Sequence, residues 1–313
     1  MISMSDKAKQ FLILTTKLLI VGAAFYFIYN QLANNDKLEW ELFVQKFRKQ
    51  SIIGIIFILL LSVLNRFFEI LKWQNMVSSF RNITLSTATA QVLGALTAAI
   101  FTPNGIGEYG AKALFYEKTK AKKIILLNFV SNGIQMILSV FFGIVGLLYF
   151  NAMFNVITTK TVTVLFIICL VAVGTAFFIK NFTIRGYSIA KLIQKINEIP
   201  KHIHLKNILL GICRYVVFSH QYYFLFIAFD VNLPYFALMS AITSVYFLAS
   251  SLPTFQFLDF AVRGSVAVYF FGLLGVNEWI TIFITTLMWF LNVVLPVLIG
   301  SYYVLNFKTR TVV

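Results

Sequence analysis

Apolar residues fall in long blocks separated by short basic stretches. Six blocks approach the roughly 20 apolar residues that span a bilayer as a helix. They are 11–29, 52–69, 126–150, 162–179, 208–229 and 279–305. Two further regions, 85–116 and 234–276, are apolar but interrupted, each holding two short apolar runs around a polar break. Each is either a re-entrant hairpin or a pair of tilted spans. The pattern predicts an all-α polytopic membrane protein of about six full spans plus two broken hairpins. We read residues 1–313 as one integral membrane domain.

The first break is the most informative stretch, FTPNGIGEYGAKALFY from Phe101 to Tyr116. An apolar run stops at Thr102-Pro103-Asn104-Gly105, and another begins after Gly107, carrying Glu108 and Lys112 four residues apart. Proline removes a backbone donor and glycine loosens the chain, so a helix should break here. Non-helical backbone at membrane depth survives only where protein covers it or it lines a cavity. A broken membrane helix carrying a carboxylate and an ammonium is therefore a candidate site. The rival reading is a loop at the membrane surface with both charges in water.

Composition agrees with the pattern. Of 313 residues, 59% are hydrophobic, 17% aromatic and 12% charged, and 34 are Phe. Mean hydropathy is +0.84. The longest polar stretch, 180–206, is too short to fold alone. The net charge of +15 would suggest nucleic acid for a soluble protein. Here most basic residues lie between apolar blocks, where they set topology and meet anionic headgroups. Cys169 and Cys213 both lie in apolar sequence and read as packing residues, without a disulfide framework. The block at 11–29 is too long for a signal-peptide core, and its Lys17 can snorkel to the interface.

Basic residues also orient the chain. Lys7 and Lys9, Lys118 to Lys123, the central stretch from Lys180 to Lys206, and Lys308 with Arg310 fall on one side if each broken region returns to its entry side. By the positive-inside rule that side is cytoplasmic, with both termini. The segment 30–50 fits poorly, being basic on the other side. Its Trp40, Phe43, Val44 and Phe47 recur at helical spacing, as do Ile189, Leu192, Ile193 and Ile196 in the cytoplasmic connector 180–206. Both segments suit an amphipathic helix lying along the interface.

The two halves correspond. The second break, SSLPTFQFLDFAVRGSVAVYFF, has Pro253, then Asp259, then Arg263; the first has Pro103, Glu108 and Lys112. In both, an acid follows the proline by five or six residues and a base follows the acid by four, on the same helical face. Upstream, RFFEILKWQ from Arg66 matches RYVVFSHQ from Arg214. Repeat one spans about 51–150 and repeat two about 206–305. Three crossings separate their starts, so the repeats should be inverted, a recurring design of secondary transporters.

The charged residues of the repeats form a constellation. Asn65, Glu69 and Lys72 share one helical face. Arg66, Lys72, Lys112, Arg214 and Arg263 against Glu69, Glu108 and Asp259 leave two positive charges over. Arginine forks and a lysine suit a phosphate, and amides freed after Pro103 would add donors at a helix start. An anionic phospholipid or polyprenyl phosphate headgroup is the expected ligand. The rival reading is internal salt bridging of Glu108 with Lys112, Asp259 with Arg263 and Arg66 with Glu69. Gln221, beside His220, matches the polar end of the first repeat's Arg-to-Gln run. No H-E-x-x-H, P-loop or nucleophile elbow occurs, so no enzyme and no cofactor is expected. His202 and His204 read as solvated loop residues.

The runs NRFFEILKWQNMV, FTPNGIGEYGAKALFY, RYVVFSHQYY and LDFAVRGSVAVYFF resemble the flippase-like membrane region of lysylphosphatidylglycerol synthases, a family with stand-alone members lacking the synthase domain. The resemblance covers nearly the whole chain. Asn104, Gly105, Gly107 and Glu108 match its first motif, and Arg263 and Gly264 its second. It implies a bundle with inverted repeats and a lipid-translocating role in a bacterial inner membrane. Because the chain ends eight residues after Leu305, lipid aminoacylation is not expected of it. The expected site is Asn65, Arg66, Glu69, Lys72, Pro103, Asn104, Gly105, Gly107, Glu108, Lys112, Arg214, Gln221, Asp259 and Arg263, with the bases Arg66, Lys112, Arg214 and Arg263 holding the headgroup. Two alternatives use the same residues: an ion-coupled transporter of a small polar solute, and a non-transporting partner that presents a lipid-linked substrate to a separate transferase.

Overall fold

The structure is a computed structural model that describes residues 51–102, 105–158, 188–251 and 259–307, with a few positions between and before them. The predicted spans 11–29 and 162–179, the segment 30–50, Pro103, Asn104, Pro253 and Cys169 lie outside the described residues. Among those described, every regular element is helical.

Helix α1 (Ile52–Val77) is capped by Ser51, whose Oγ accepts from the Gly54 amide at 3.0 Å. It runs past the predicted end at Glu69, because Glu69, Lys72 and Asn75 all lie on its buried face. Helices α2 (Leu85–Ala99) and α3 (Gly107–Ala113) flank the first break. After a 3₁₀ turn at Lys118–Lys120 comes α4 (Ala121–Phe154). The connector contains the short helix α5 (Ile189–Asn197), and Pro200 sets the start of α6 (Lys201–Ala228). His202 and His204, expected in a loop, thus sit in the first turn of α6. Proline cannot be helical mid-run but pre-sets φ for a helix start, which moves the boundary upstream of the apolar block. Helices α7 (Tyr235–Ser251) and α8 (Asp259–Leu273) flank the second break. The chain then forms α9 (Glu278–Trp289), a π turn (Phe290–Val294) and α10 (Leu295–Leu305) in one rod.

Among the described residues three rods are long and apolar enough to cross a membrane: Ile52–Val77, Lys118–Phe154 and Glu278–Leu305. Only 17% of the apolar window is buried in each of the first two, so their outer faces need an apolar solvent. Ile53, Ile56, Met136 and Ile137 stand on those faces. The shorter α2 and α3, of 15 and 7 residues, rise about 22 and 10 Å, less than the roughly 30 Å of a hydrocarbon core.

Packing follows one rule in both halves. Helix α1 lies along α6. Helix α2 packs on α10 and, reciprocally, α7 packs on α4. Within each half, α1 meets α2 as α6 meets α7, and α3 meets α4 as α8 meets α9. Exchanging the halves therefore returns the same set of packed pairs. Each half has its own apolar core. One gathers Trp73, Met76, Val92 and Leu127, joined by Ile199 and Ile203. The other gathers Tyr222, Phe226, Phe271 and Met288, joined by Ile58 and Phe150.

The two reciprocal contacts use the same chemistry. At α4 on α7, the space for a Cβ at Gly146 is taken by Thr243 and the Ser240 carbonyl. At α10 on α2, the space at Gly300 is taken by Thr97 and the Leu93 backbone, and Thr97 Oγ1 donates to the Val297 carbonyl at 3.1 Å. Small residues permit such approach where lipid supplies no hydrophobic drive between helices. Gly300→Val should therefore destabilise the bundle by about 1–3 kcal/mol through overpacking. Gly272→Ala, whose Cβ meets nothing within 4 Å, should not. Thermal unfolding of both variants in detergent checks this.

Candidate functional site

Between the two apolar cores lies a polar cavity of about 310 Å³. Its walls carry Arg66 and Glu69 from α1, Glu108 from α3, Arg214 from α6, and Asp259 and Arg263 from α8. Helix α4 contributes the neutral Asn132 and Gln135, α7 contributes Tyr246, and the π turn contributes Asn292. The volume lies at the low end of ligand sites, which run from roughly 300 Å³ upward.

The ion pairs come in two depths. Facing the cavity, Arg263 grips Asp259 through Nη2 (2.8 and 3.0 Å) and Nε (3.1 Å), with the guanidinium 5.0 Å from the Tyr246 ring centre. Arg214 Nη1 lies 2.7 Å from Glu69 Oε2. Behind the acids stand two closed-off lysines. Lys72 is 3.6 Å from Glu69 and donates to Gln135 Oε1 at 3.2 Å. Lys112 is 2.5 Å from Glu108, donates to Asn128 Oδ1 at 2.8 Å and sits over the Trp73 ring at 4.3 Å. Side-chain exposure separates the ranks, being 0–1% for the lysines and about 20% for Arg214 and Arg263.

Arg66 differs from the other arginines. Among the described residues it has no carboxylate partner: its Nη2 donates to the Asn292 carbonyl at 2.5 Å, and its buried Nε has no partner. The carbonyl is free for a local reason. In a regular helix it would accept from the amide four residues on, and that residue is Pro296, which has none. The Asn292 side chain completes a relay across the halves. Asn65 Nδ2 donates to Asn292 Oδ1 (2.6 Å), Asn292 Nδ2 to Gln221 Oε1 (2.9 Å), and Gln221 Nε2 to Ser62 Oγ (2.5 Å). Arg214 Nε donates to Asn65 Oδ1 at 3.0 Å. π turns recur at functional sites because they re-aim backbone groups.

The expected site residues therefore divide. Arg66, Glu69, Glu108, Arg214, Asp259 and Arg263 line one cavity, with Asn65 at its edge. Lys112 does not face it, contrary to expectation, because its buried ammonium is held by Glu108, Asn128 and the Trp73 ring. Lys72 is likewise behind the wall, and Gln221 is a buried strut. Of the three expected salt bridges two form; Arg66 with Glu69 does not, since Glu69 is taken by Arg214 and Lys72. Near the first break, the amides of Gly105, Gly107 and Glu108 are already bonded within the chain. Gly107 N donates to Thr102 Oγ1 at 2.9 Å, and Gly105 N and Glu108 N donate to carbonyls in the same turn. Gly105, at φ 68°, makes that turn possible, and a Cβ on Gly107 would strike Thr102. Sequence reasoning missed Asn292, Gln135 and Tyr246. For Asn292 the signal was Pro296 four residues later. His220 bonds Tyr235 Oη at 2.8 Å on an exposed face, away from the cavity. Among the described residues no three of His, Cys, Asp and Glu gather to hold a metal ion.

Glu69 is the acid shared across the halves. Glu69→Ala would leave Lys72 and Arg214 without their carboxylate, and breaking a buried pair from one side costs about 3–5 kcal/mol. The variant should lose that much stability on unfolding in denaturing detergent, and Glu69→Ala with Lys72→Met should recover part of it. No protein family, curated protein or solved structure matches the chain.

Proposed function

We propose that the chain translocates a membrane lipid, with its central cavity receiving an anionic headgroup. The observation that carries this is a cavity walled by three arginines and three carboxylates, set inside helices whose outer faces are apolar. Charged groups at that depth are costly and mark substrate pathways. Counting the lysines behind the wall, five bases meet three acids. The entering anion takes up the surplus, and Glu69, Glu108 and Asp259 hold the bases in its absence.

In this reading the whole chain is one integral membrane domain of six full spans and two re-entrant hairpins, the connector and both termini cytoplasmic. The short α2 and α3 suit a hairpin that enters and leaves by one side. The packing that survives exchange of the halves suits two inverted repeats, about 51–150 and 206–305, meeting at the cavity. Alternating access follows if the halves rock about the α1–α6 seam. With no ATPase motif in the sequence, the driving force is a lipid gradient, a coupled ion or a partner.

Purified protein in phosphatidylcholine liposomes should move fluorescent anionic lipid between leaflets faster than zwitterionic lipid. A hydrogen bond to a charged group contributes about 1.5–3 kcal/mol, so Arg214→Ala and Arg263→Ala should each slow this about tenfold or more. Normal rates in folded variants would remove these arginines from the mechanism. Tight lipid binding without movement would favour the presenting-partner reading, and neither binding nor movement a small-solute transporter.

A further inference from the structure

We infer that the cavity selects a phosphate monoester, whose terminal phosphate is doubly charged, over the singly charged diester of common phospholipids. This rests on the lipid-headgroup reading above and narrows its substrate class.

The surplus charge is localised. Asp259 saturates Arg263 with three close contacts, and Glu108 closes on Lys112. Among the described residues that leaves Glu69 as the carboxylate for Lys72, Arg214 and Arg66. Both unmatched positive charges therefore sit on the α1–α6 side of the cavity. They are not spread round its wall. Arg66 and Arg214 are tied to one another through Asn65 and the Asn292 relay, so the two guanidinium groups are held as a pair. A diester would neutralise one and leave a cation uncompensated in a partly desolvated site. A monoester carries close to two charges and three acceptor oxygens, and answers both.

The neutral donors agree. Arg66 Nε and Gln135 Nε2 are buried at the cavity wall without partners among the described residues, and both can only donate. Arg66 is held by a carbonyl and no carboxylate, so an incoming phosphate displaces a neutral acceptor and breaks no ion pair. The elements facing the pair bring only neutral polar groups: Asn132, Gln135 and Ser139 from α4, Asn292 from the π turn, and Ser250 and Tyr246 from α7, the Tyr246 ring lying against Arg263. The acids that face it are Glu69, Glu108 and Asp259.

The test is binding in phosphatidylcholine nanodiscs doped with dioleoyl phosphatidate, a monoester, or dioleoyl phosphatidylglycerol, a diester, at pH 5 and pH 8. The second phosphate proton leaves near pH 6. At pH 8 phosphatidate should bind about tenfold or more tighter. At pH 5 the preference should shrink severalfold, and the diester at each pH controls for titration of the cavity acids. Arg66→Gln should weaken phosphatidate binding at pH 8 severalfold more than diester binding and so remove most of the preference; the wild-type pH profile stands on its own if that variant does not fold. Equal affinity for both lipids at both pH values, or equal loss of both in Arg66→Gln, overturns the inference and leaves the lipid reading intact. Absence of binding by either lipid overturns both. Soluble glycerol 3-phosphate binding as tightly as phosphatidate would keep the monoester chemistry but overturn the lipid source.

Discussion

A charge moved out of water must meet an opposite charge, a strong dipole or retained solvent, and that constraint arranges the centre of this protein. Five bases and three acids converge from four helices. Glu69 joins two helices, with Lys72 behind it and Arg214 in front, while Glu108 closes on Lys112 and Asp259 on Arg263 within their own helices. Removing α1 would strand Arg214 without its carboxylate. The polar seam is thus a device of specificity as much as of stability, since pairs of this kind set register even where apolar packing would bind as well.

The apolar cores stand on either side of that seam and do not cross it as one body. Close helix approach at Gly146 and Gly300 supplies rigid outer walls, and the α1–α6 seam joins the halves through amides. Side chains of Asn65, Asn292 and Gln221 each donate and accept, so the relay can shift partners without leaving a bare donor. An apolar seam would have been tighter but would have given the arginines nothing to hold.

Much of this was legible in the sequence, for reasons that can be stated. The acid–base pairs four residues apart, Glu108 with Lys112 and Asp259 with Arg263, are local and follow from helical geometry. The turn at the first break follows from Gly105. The partners of Glu69 and Arg66 were not legible, because Arg214 and Asn292 reach them from distant helices and nothing local ranks one acceptor over another. The lysines were misjudged because a long stem lets the ammonium fold back behind an aromatic wall, as Lys112 does at Trp73. The start of α6 was misjudged because polar residues were taken to mean loop, where Pro200 marks a helix start.

The π turn has a consequence beyond the carbonyl it shares with Pro296. Such a turn takes in one residue more than the helix it interrupts. One residue is about 100° of helical rotation, so the insertion sets the angular phase of everything beyond it. Gly300 lies beyond it, and only one phase turns that glycine to Thr97 and the Leu93 backbone. The backbone irregularity beside the cavity and the close α2–α10 contact therefore lie on one rod and share its phase. Deleting one residue from the turn would rotate Gly300 by about 100° away from Thr97 and Leu93 and open that contact.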